Sequence, residues 1–146
     1  MDETATLSAT SRRWSVSAAY DAMQAGSLLY IDIRDGVECA DGFPVGAAHV
    51  PLYRFDTVGT AHLNAQFVDE IRTLLRGHGC DGAVRRAAVG CAHGVRSRQA
   101  VMLLALAGIV VDDVPGGWDG RRDELGRVIE PGWRQVGLPI ATKPAA

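Results

Sequence analysis

The stretch that decides the fold is Arg86–Ser97, whose sequence is RAAVGCAHGVRS. Its first five residues are mostly small and apolar, and they predict a buried strand that leads directly into Cys91. Gly94 permits a tight turn, and residues 97–107, rich in Ala, Leu and Met, predict a helix that stops at Gly108. This order places a cysteine in a short loop between the end of a strand and the beginning of a helix.

Helix and strand signals of the same kind recur on both sides of this stretch. They are helices over residues 17–26 and 63–77 and strands over residues 28–33, 47–50 and 109–114. Apolar strands that alternate with helices predict an α/β domain with a mainly parallel central sheet and helices on both faces. Ligands of such sheets bind beyond the carboxyl ends of the strands, which is where we expect Cys91 to lie.

Length and composition indicate one globular domain. The 146 residues are 47% hydrophobic and carry a net charge of −2. We expect the folded domain to span residues 15–140, with flexible segments at 1–14 and 141–146. The small net charge offers no general attraction to nucleic acid or to an anionic membrane surface. The longest apolar run, residues 100–111, is too short for a membrane span, which needs roughly 18 residues.

The number and spacing of the cysteines bear on the cellular compartment in which we expect the protein to work. Cys39, Cys80 and Cys91 form no C-x-x-C pair, which argues against a disulfide framework, a zinc ribbon or a thioredoxin-like motif. The N-terminal stretch lacks the apolar core of a secretory signal, so we expect a reducing, cytoplasmic location. Cys39 and Cys80 are interpreted as unpaired structural residues; the alternative is that one of them forms a disulfide with Cys91.

The loop from Cys91 to Ser97 has the features that make a cysteine reactive. The amides of such a tight loop can converge on the sulfur as an anion-binding nest, and the following helix adds partial positive charge at its N-terminus. Arg96 and His93 lie on the same loop. These effects favour the thiolate, which is the nucleophilic form of cysteine. The alternative hypothesis treats Cys91 as a small buried apolar residue at a strand end.

Five segments, in the correct order, resemble those of the rhodanese homology domain. They are Leu29–Arg34 with Glu38, similar to a strand ending in D-x-R-x-x-x-E; Gly46–Pro51, similar to G-A-x-x-(I/V)-P; Cys91–Ser97, matching C-x-x-G-x-R-S; Pro115–Gly117, similar to a late G-G element; and Gly137–Pro139, matching a closing G-L-P. The resemblance covers about residues 15–140. It implies a single-domain rhodanese-like sulfurtransferase.

The resemblance also implies a reaction. The Cys91 thiolate would take the outer sulfur of a donor such as thiosulfate and hold it as a persulfide. It would then pass this sulfur to a thiophilic acceptor, cyanide or a thiol, in a ping-pong scheme without a metal or an organic cofactor. The expected substrate-binding residues are Ala92, His93, Gly94, Val95, Arg96 and Ser97. Asp32, Arg34 and Glu38 are expected to support the loop by pairing with one another beneath it, rather than to act as acids or bases.

Individual loop side chains have competing interpretations. Arg96 is expected to be a ligand of the donor or the persulfide. His93 either attracts an anionic donor or is a solvated loop residue. Ser97 is expected to donate its hydroxyl to the sulfur or to cap the helix, and the two roles are compatible. Arg85 and Arg86, together with Arg96 and Arg98, either steer anions towards the loop or form an ordinary solvated face.

Two other functions remain open alongside thiosulfate-type sulfur transfer. The first is a persulfide carrier that receives sulfur from a partner protein and delivers it to another. The second is a phosphatase or arsenate reductase, although such enzymes use a C-x5-R loop and Arg96 stands one residue short of that spacing. The stretch before Trp133 is about ten residues longer than the family's usual link. We expect residues 119–131 to form an added helix near the mouth of the site.

Overall fold

The computed structural model describes residues 10–80 and 84–142, and their centre is a four-stranded parallel sheet in the order β3-β1-β6-β7. These strands are β1 (Leu28–Asp32), β3 (Ala48–His49), β6 (Arg86–Gly90) and β7 (Asp112–Asp113). Ile31 of β1 pairs with Val89 of β6 on one side and with Ala48 of β3 on the other. The predicted parallel sheet is confirmed, and Cys91 follows the carboxyl end of β6.

Helices cover both faces of this sheet. They are α1 (Val16–Gln24), α2 (Gly36–Ala40), α3 (Phe67–Gly77), α4 (Val95–Leu106) and α5 (Trp133–Val136). Leu29 and Ile31 belong to the apolar cluster that α3 and α4 complete, whereas Leu28 and Tyr30 belong to the cluster that α1 and α5 complete. Because alternate residues of β1 are buried on opposite faces, the strand is a mostly apolar run, with Asp32 as its polar last residue. No described helix is both long and apolar enough to cross a bilayer.

Six further short strands form antiparallel pairs outside the central sheet. They are β2 (Phe43–Pro44) with β10 (Ile140–Ala141), β4 (Tyr53–Phe55) with β5 (Ala61–Leu63), and β8 (Arg121–Arg122) with β9 (Val128–Glu130). The predicted strand at 109–114 is shorter than expected, since only Asp112 and Asp113 pair with β6. The predicted helix at 63–77 begins later, at Phe67, because Leu63 ends a hairpin strand.

The expected helix over residues 119–131 is wrong, because this segment is the β8–β9 hairpin. The Asp123 carboxylate accepts hydrogen bonds from the amides of Leu125 and Arg127 at 2.9 Å each, and Gly126 has a φ of 79°. A carboxylate that bonds to amides two and four residues further on closes a turn in place of a helix. Arg121 then pairs with Glu130 across the hairpin.

The expected flexible ends need a correction where the structure describes them. Ser11 Oγ donates to the carbonyl of Val111 at 2.6 Å, and Trp14 Nε1 donates to the buried Asp112 carboxylate at 2.9 Å. At the other end, Ala141 pairs with Phe43. Residues 11–14 and 141 are therefore held by long-range contacts, while residues 1–9 and 143–146 lie outside the described residues.

Candidate active site at the end of strand β6

Cys91 occupies the floor of the loop that joins β6 to α4. Its Sγ accepts hydrogen bonds from the backbone amides of Gly94 and Ser97, both at 3.2 Å. The Cys91 residue is only 2% exposed, so these two donors act where little water screens them. The Gly94 amide lies at the N-cap and the Ser97 amide in the first turn of α4, where unpaired N–H groups carry partial positive charge. Two donors placed in this way form the kind of backbone site that binds an anion.

Strand β6 brings the cysteine to this position by packing directly against Tyr30. A Cβ atom at Gly90 would overlap the Tyr30 hydroxyl, so glycine is required where the strand reaches the loop. Burial raises the pKa of Tyr30 well above its ordinary value, and the negative charges of Asp32 and Cys91 act in the same direction. The Tyr30 ring therefore lies beneath the loop as a neutral, buried group.

The late segment 116–120 holds the loop from behind. The amide of Trp118 donates to the Cys91 carbonyl at 2.8 Å, and the amide of Asp119 donates to the Ala92 carbonyl at 2.9 Å. A Cβ at Gly117 would overlap the Cys91 carbonyl oxygen. The Gly116-Gly117 pair was the only sequence signal of this contact. The hydrogen-bonding roles of Trp118 and Asp119 were missed because any residue type supplies a backbone amide.

Gly94 turns the chain into α4 with a φ of 91°, and a Cβ there would stand 2.6 Å from the Pro115 carbonyl oxygen. We expect Gly94→Ala to destabilise the domain by more than about 3 kcal/mol and to reduce sulfur transfer, because the loop must move to relieve the overlap. Gly59→Ala is the matched control, since Gly59 has a φ of 87° and open space around it. Positive φ alone costs about 1–2 kcal/mol. Equal unfolding free energies of the two variants in urea would contradict the prediction.

Arg96 does not point a free guanidinium at the sulfur, as its expected role as a ligand requires. Its Nη1 and Nη2 donate to the Glu38 carboxylate at 2.6 and 2.9 Å, which is a two-pronged ion pair. The hydrogen bond to Glu38 raises the pKa of Arg96, and the charge of Cys91 is a smaller contribution in the same direction. Arg96 therefore adds positive potential near the loop while its donors are used by Glu38.

The expected pairing among Asp32, Arg34 and Glu38 is correct for the first two residues and wrong for the third. Arg34 Nη2 donates to Asp32 at 2.8 Å, and both side chains are almost fully buried. The same guanidinium donates to the Gly42 carbonyl at 2.8 Å and lies 4.6 Å from the Trp118 ring centroid. Glu38 receives only a long contact from Arg34, at its backbone carbonyl, because its carboxylate is used by Arg96.

The Arg96–Glu38 pair makes stability depend on pH. The hydrogen bond from Arg96 lowers the pKa of Glu38 from 4.5 to about 2. A lowered pKa in the folded state gives stabilisation that is present above the unfolded value of 4.5 and is lost as the pH falls through about 2. We expect Glu38→Gln to unfold at lower urea concentration than the parent chain at pH 7 and at the same concentration near pH 2. A difference that stays constant over this range would refute the prediction.

The remaining loop residues lie at the rim or behind the cradle. His93 is exposed, and its Nδ1 lies 3.0 Å from the Gly120 carbonyl oxygen. Val95 is 76% exposed, whereas Ala92 is buried. Ser97 contributes its amide to the sulfur, but its hydroxyl donates to the Gly94 carbonyl at 3.4 Å, and the N-cap of α4 is Gly94. Neither interpretation of the Ser97 hydroxyl is therefore correct.

The other cysteines and arginines divide into separate roles. No disulfide joins Cys39, Cys80 or Cys91, and burial, with Asp32 as a further cause, raises the pKa of Cys39 to about 12. Arg86 does not face the loop, since it forms an ion pair with Asp112 at 2.7 Å. Arg98 lies on the outer side of the loop, next to a small cavity.

The chain matches none of the family models and none of the curated proteins with which it was compared. Solved structures do resemble it. Rv0390 from M. tuberculosis is 24% identical, with 92% of this chain and 99% of that chain covered and a TM-score of 0.64. A rhodanese-like domain from Anabaena sp. is 21% identical, with 94% and 87% covered and a TM-score of 0.59. The polysulfide-sulfur transferase homodimer from Wolinella succinogenes is 20% identical, with 98% and 87% covered and a TM-score of 0.52.

Proposed function

We propose that this chain, which has the rhodanese-like fold that its sequence motifs predict, is a sulfurtransferase that carries sulfur as a persulfide on Cys91. The observation that carries the proposal is the pair of amides, from Gly94 and Ser97, that point at Cys91 Sγ at 3.2 Å. Such donors stabilise an anion in the way an oxyanion hole does, and here the anion is sulfur. The neighbour from Wolinella succinogenes, a polysulfide-sulfur transferase, supports the same chemistry.

In the first half-reaction, the Cys91 thiolate attacks the outer sulfur of a donor such as thiosulfate. A sulfur–sulfur bond forms on Cys91, the bond between the two donor sulfurs breaks, and its electron pair leaves with sulfite. In the second half-reaction, cyanide or a thiolate attacks the outer sulfur of the persulfide, and the Cys91 thiolate is the leaving group. The amides of Gly94 and Ser97 face the Cys91 thiolate at the beginning and at the end of the cycle.

A persulfide carrier is the second candidate, and the Arg96–Glu38 pair favours it. A small dianionic donor would gain most from a free guanidinium on the loop, yet both terminal nitrogens of Arg96 bind Glu38. A carrier would receive its sulfur from a partner protein and turn over slowly with thiosulfate and cyanide. Steady-state rates with this pair, compared with loading from a persulfide donor, distinguish the two functions.

The reaction class is tested by intact mass spectrometry after incubation with thiosulfate. We expect the added mass of one sulfur atom, mapped by peptide analysis to Cys91 and removed by cyanide. Cys80, which is partly exposed and lies outside the loop, serves as an internal control. No added sulfur with either thiosulfate or polysulfide, or sulfur located mainly on Cys80, would refute the proposal.

A further inference from the structure

A cavity of about 280 Å³ lies on the outer side of the reactive loop. His93, Gly94 and Val95 form part of its wall, and the Gly94 amide is the group that donates to Cys91 Sγ at 3.2 Å. The cavity is therefore separated from the sulfur by one layer of backbone. Its size suits a small polar group and excludes a large aromatic or lipid ligand.

Four arginines from three parts of the chain line this cavity. They are Arg13 beside β7, Arg98 on α4, and Arg121 and Arg122 on the β8–β9 hairpin. Asp113 is the acidic residue in the wall, and it is 6% exposed. Arg121 and Arg122 are offset by ion pairs with Glu130 and Asp119, so the positive excess comes from Arg13 and Arg98 against Asp113, and a concave surface concentrates it.

Arg121 and Arg122 already use guanidinium N–H groups for bonds within the domain, whereas Arg13 and Arg98 do not. Arg121 is paired with Glu130 at 3.3 Å, and Arg122 donates to the Asp119 and Gly126 carbonyls. In contrast, the side chains of Arg13 and Arg98 make no hydrogen bond and no ion pair within 4 Å of any described residue. Guanidinium groups arranged in this way bind carboxylate or phosphate oxygens in pairs.

We infer that this cavity, formed by Arg13, Arg98, Arg121 and Arg122, holds the oxyanion group of the sulfur acceptor, a small thiol that carries a carboxylate or a phosphate. The inference rests on the proposed sulfurtransferase function. A ligand seated here has its charged group outside the loop and must reach the persulfide with a different atom. This separation of the two groups excludes a ligand such as thiosulfate, whose charge and reacting sulfur lie on one small group. It fits a thiol whose carboxylate or phosphate is several bonds away from its sulfur.

The test compares acidic and neutral thiols as acceptors from the persulfide form. The variant is Arg13→Gln with Arg98→Gln, and the matched control is Arg72→Gln with Arg76→Gln on the exposed side of α3, which changes the net charge equally. For mercaptosuccinate we expect the variant to raise KM about tenfold at unchanged kcat, the order set by two partly screened ion pairs. For 2-mercaptoethanol we expect all three proteins to agree within about twofold.

The outcomes separate the inference from the function on which it rests. If the persulfide forms but the variant affects both thiols equally, or neither, the inference is overturned and the sulfurtransferase proposal stands. If no persulfide forms on Cys91 in the parent chain, the inference and the sulfurtransferase proposal are both refuted. Competition by inorganic phosphate and by succinate against mercaptosuccinate then distinguishes a phosphate from a carboxylate as the bound group. If either competitor inhibits the variant less than the parent chain, and inhibits the control as strongly as the parent chain, the result supports the cavity as the binding site.

Discussion

Replacing Cys91 with Ser is expected to reduce sulfur transfer by at least about 10³-fold, because an alcohol cannot form the persulfide that carries the sulfur. The fold should persist, since oxygen is smaller than sulfur and can accept hydrogen bonds from the same two amides of Gly94 and Ser97. The measurements are cyanide-dependent turnover of thiosulfate and the midpoint of thermal unfolding.

Cys80→Ser is the matched control for this variant. Cys80 is a cysteine like Cys91, but it lies partly exposed after α3 and outside the loop. We expect the Cys80→Ser protein to keep the activity of the parent chain within about twofold. Retained activity in Cys91→Ser, with a normal unfolding midpoint, would remove Cys91 as the sulfur carrier.

Replacing Arg34 with Met is expected to lower the free energy of unfolding by about 3–5 kcal/mol, because it leaves the Asp32 carboxylate charged and buried. The side chains of Arg34 and Asp32 are 2% and 3% exposed, so water cannot replace the lost partner. The change also removes the donor to the Gly42 carbonyl and the cation over the Trp118 ring. The unfolding midpoint should fall by roughly 10 °C for a domain of this size, measured by calorimetry and by urea titration.

Arg54→Met is the matched control, since it breaks the pair between Arg54 and Glu70 on the surface. These side chains are 53% and 39% exposed, and an exposed pair of this kind is worth less than about 1 kcal/mol. Adding Asp32→Asn to Arg34→Met should recover part of the loss, because no charge then remains buried without a partner. An Arg34→Met protein as stable as the Arg54→Met control would contradict the prediction.

The strands that position the site could be predicted because their pattern is local. Strand β1 is buried at every position, and its apolar run is visible in the sequence alone. Strand β7 was predicted too long because its two paired residues are aspartates whose burial depends on distant partners. Asp112, for example, is satisfied by Arg86 and Trp14, which are 26 and 98 residues away. No local pattern indicates such partners.

The difference between local patterns and partners distant in sequence also explains what could be predicted of the candidate site. The loop from Cys91 to Ser97 follows from the order of strand, glycine and helix. The Arg96–Glu38 pair could not be predicted, because it joins residues 58 positions apart. On sequence grounds, Asp32 and Glu38 were equally reasonable partners for Arg34. The β8–β9 hairpin was mistaken for a helix because Arg122 at the end of β8 and Glu124 in the turn are both good helix formers.

The segment 116–120, which holds the loop from behind, also fastens both ends of the β8–β9 hairpin. The Gly120 amide donates to the Gly116 carbonyl, and the Trp133 amide returns to the Gly117 carbonyl, each at 2.8 Å. Residues 121–130 thus leave and re-enter the domain at two neighbouring hydrogen bonds, on the carbonyls of Gly116 and Gly117. The length and charge of this hairpin can therefore change while the backbone around the Cys91 sulfur keeps its hydrogen bonds to residues 118 and 119.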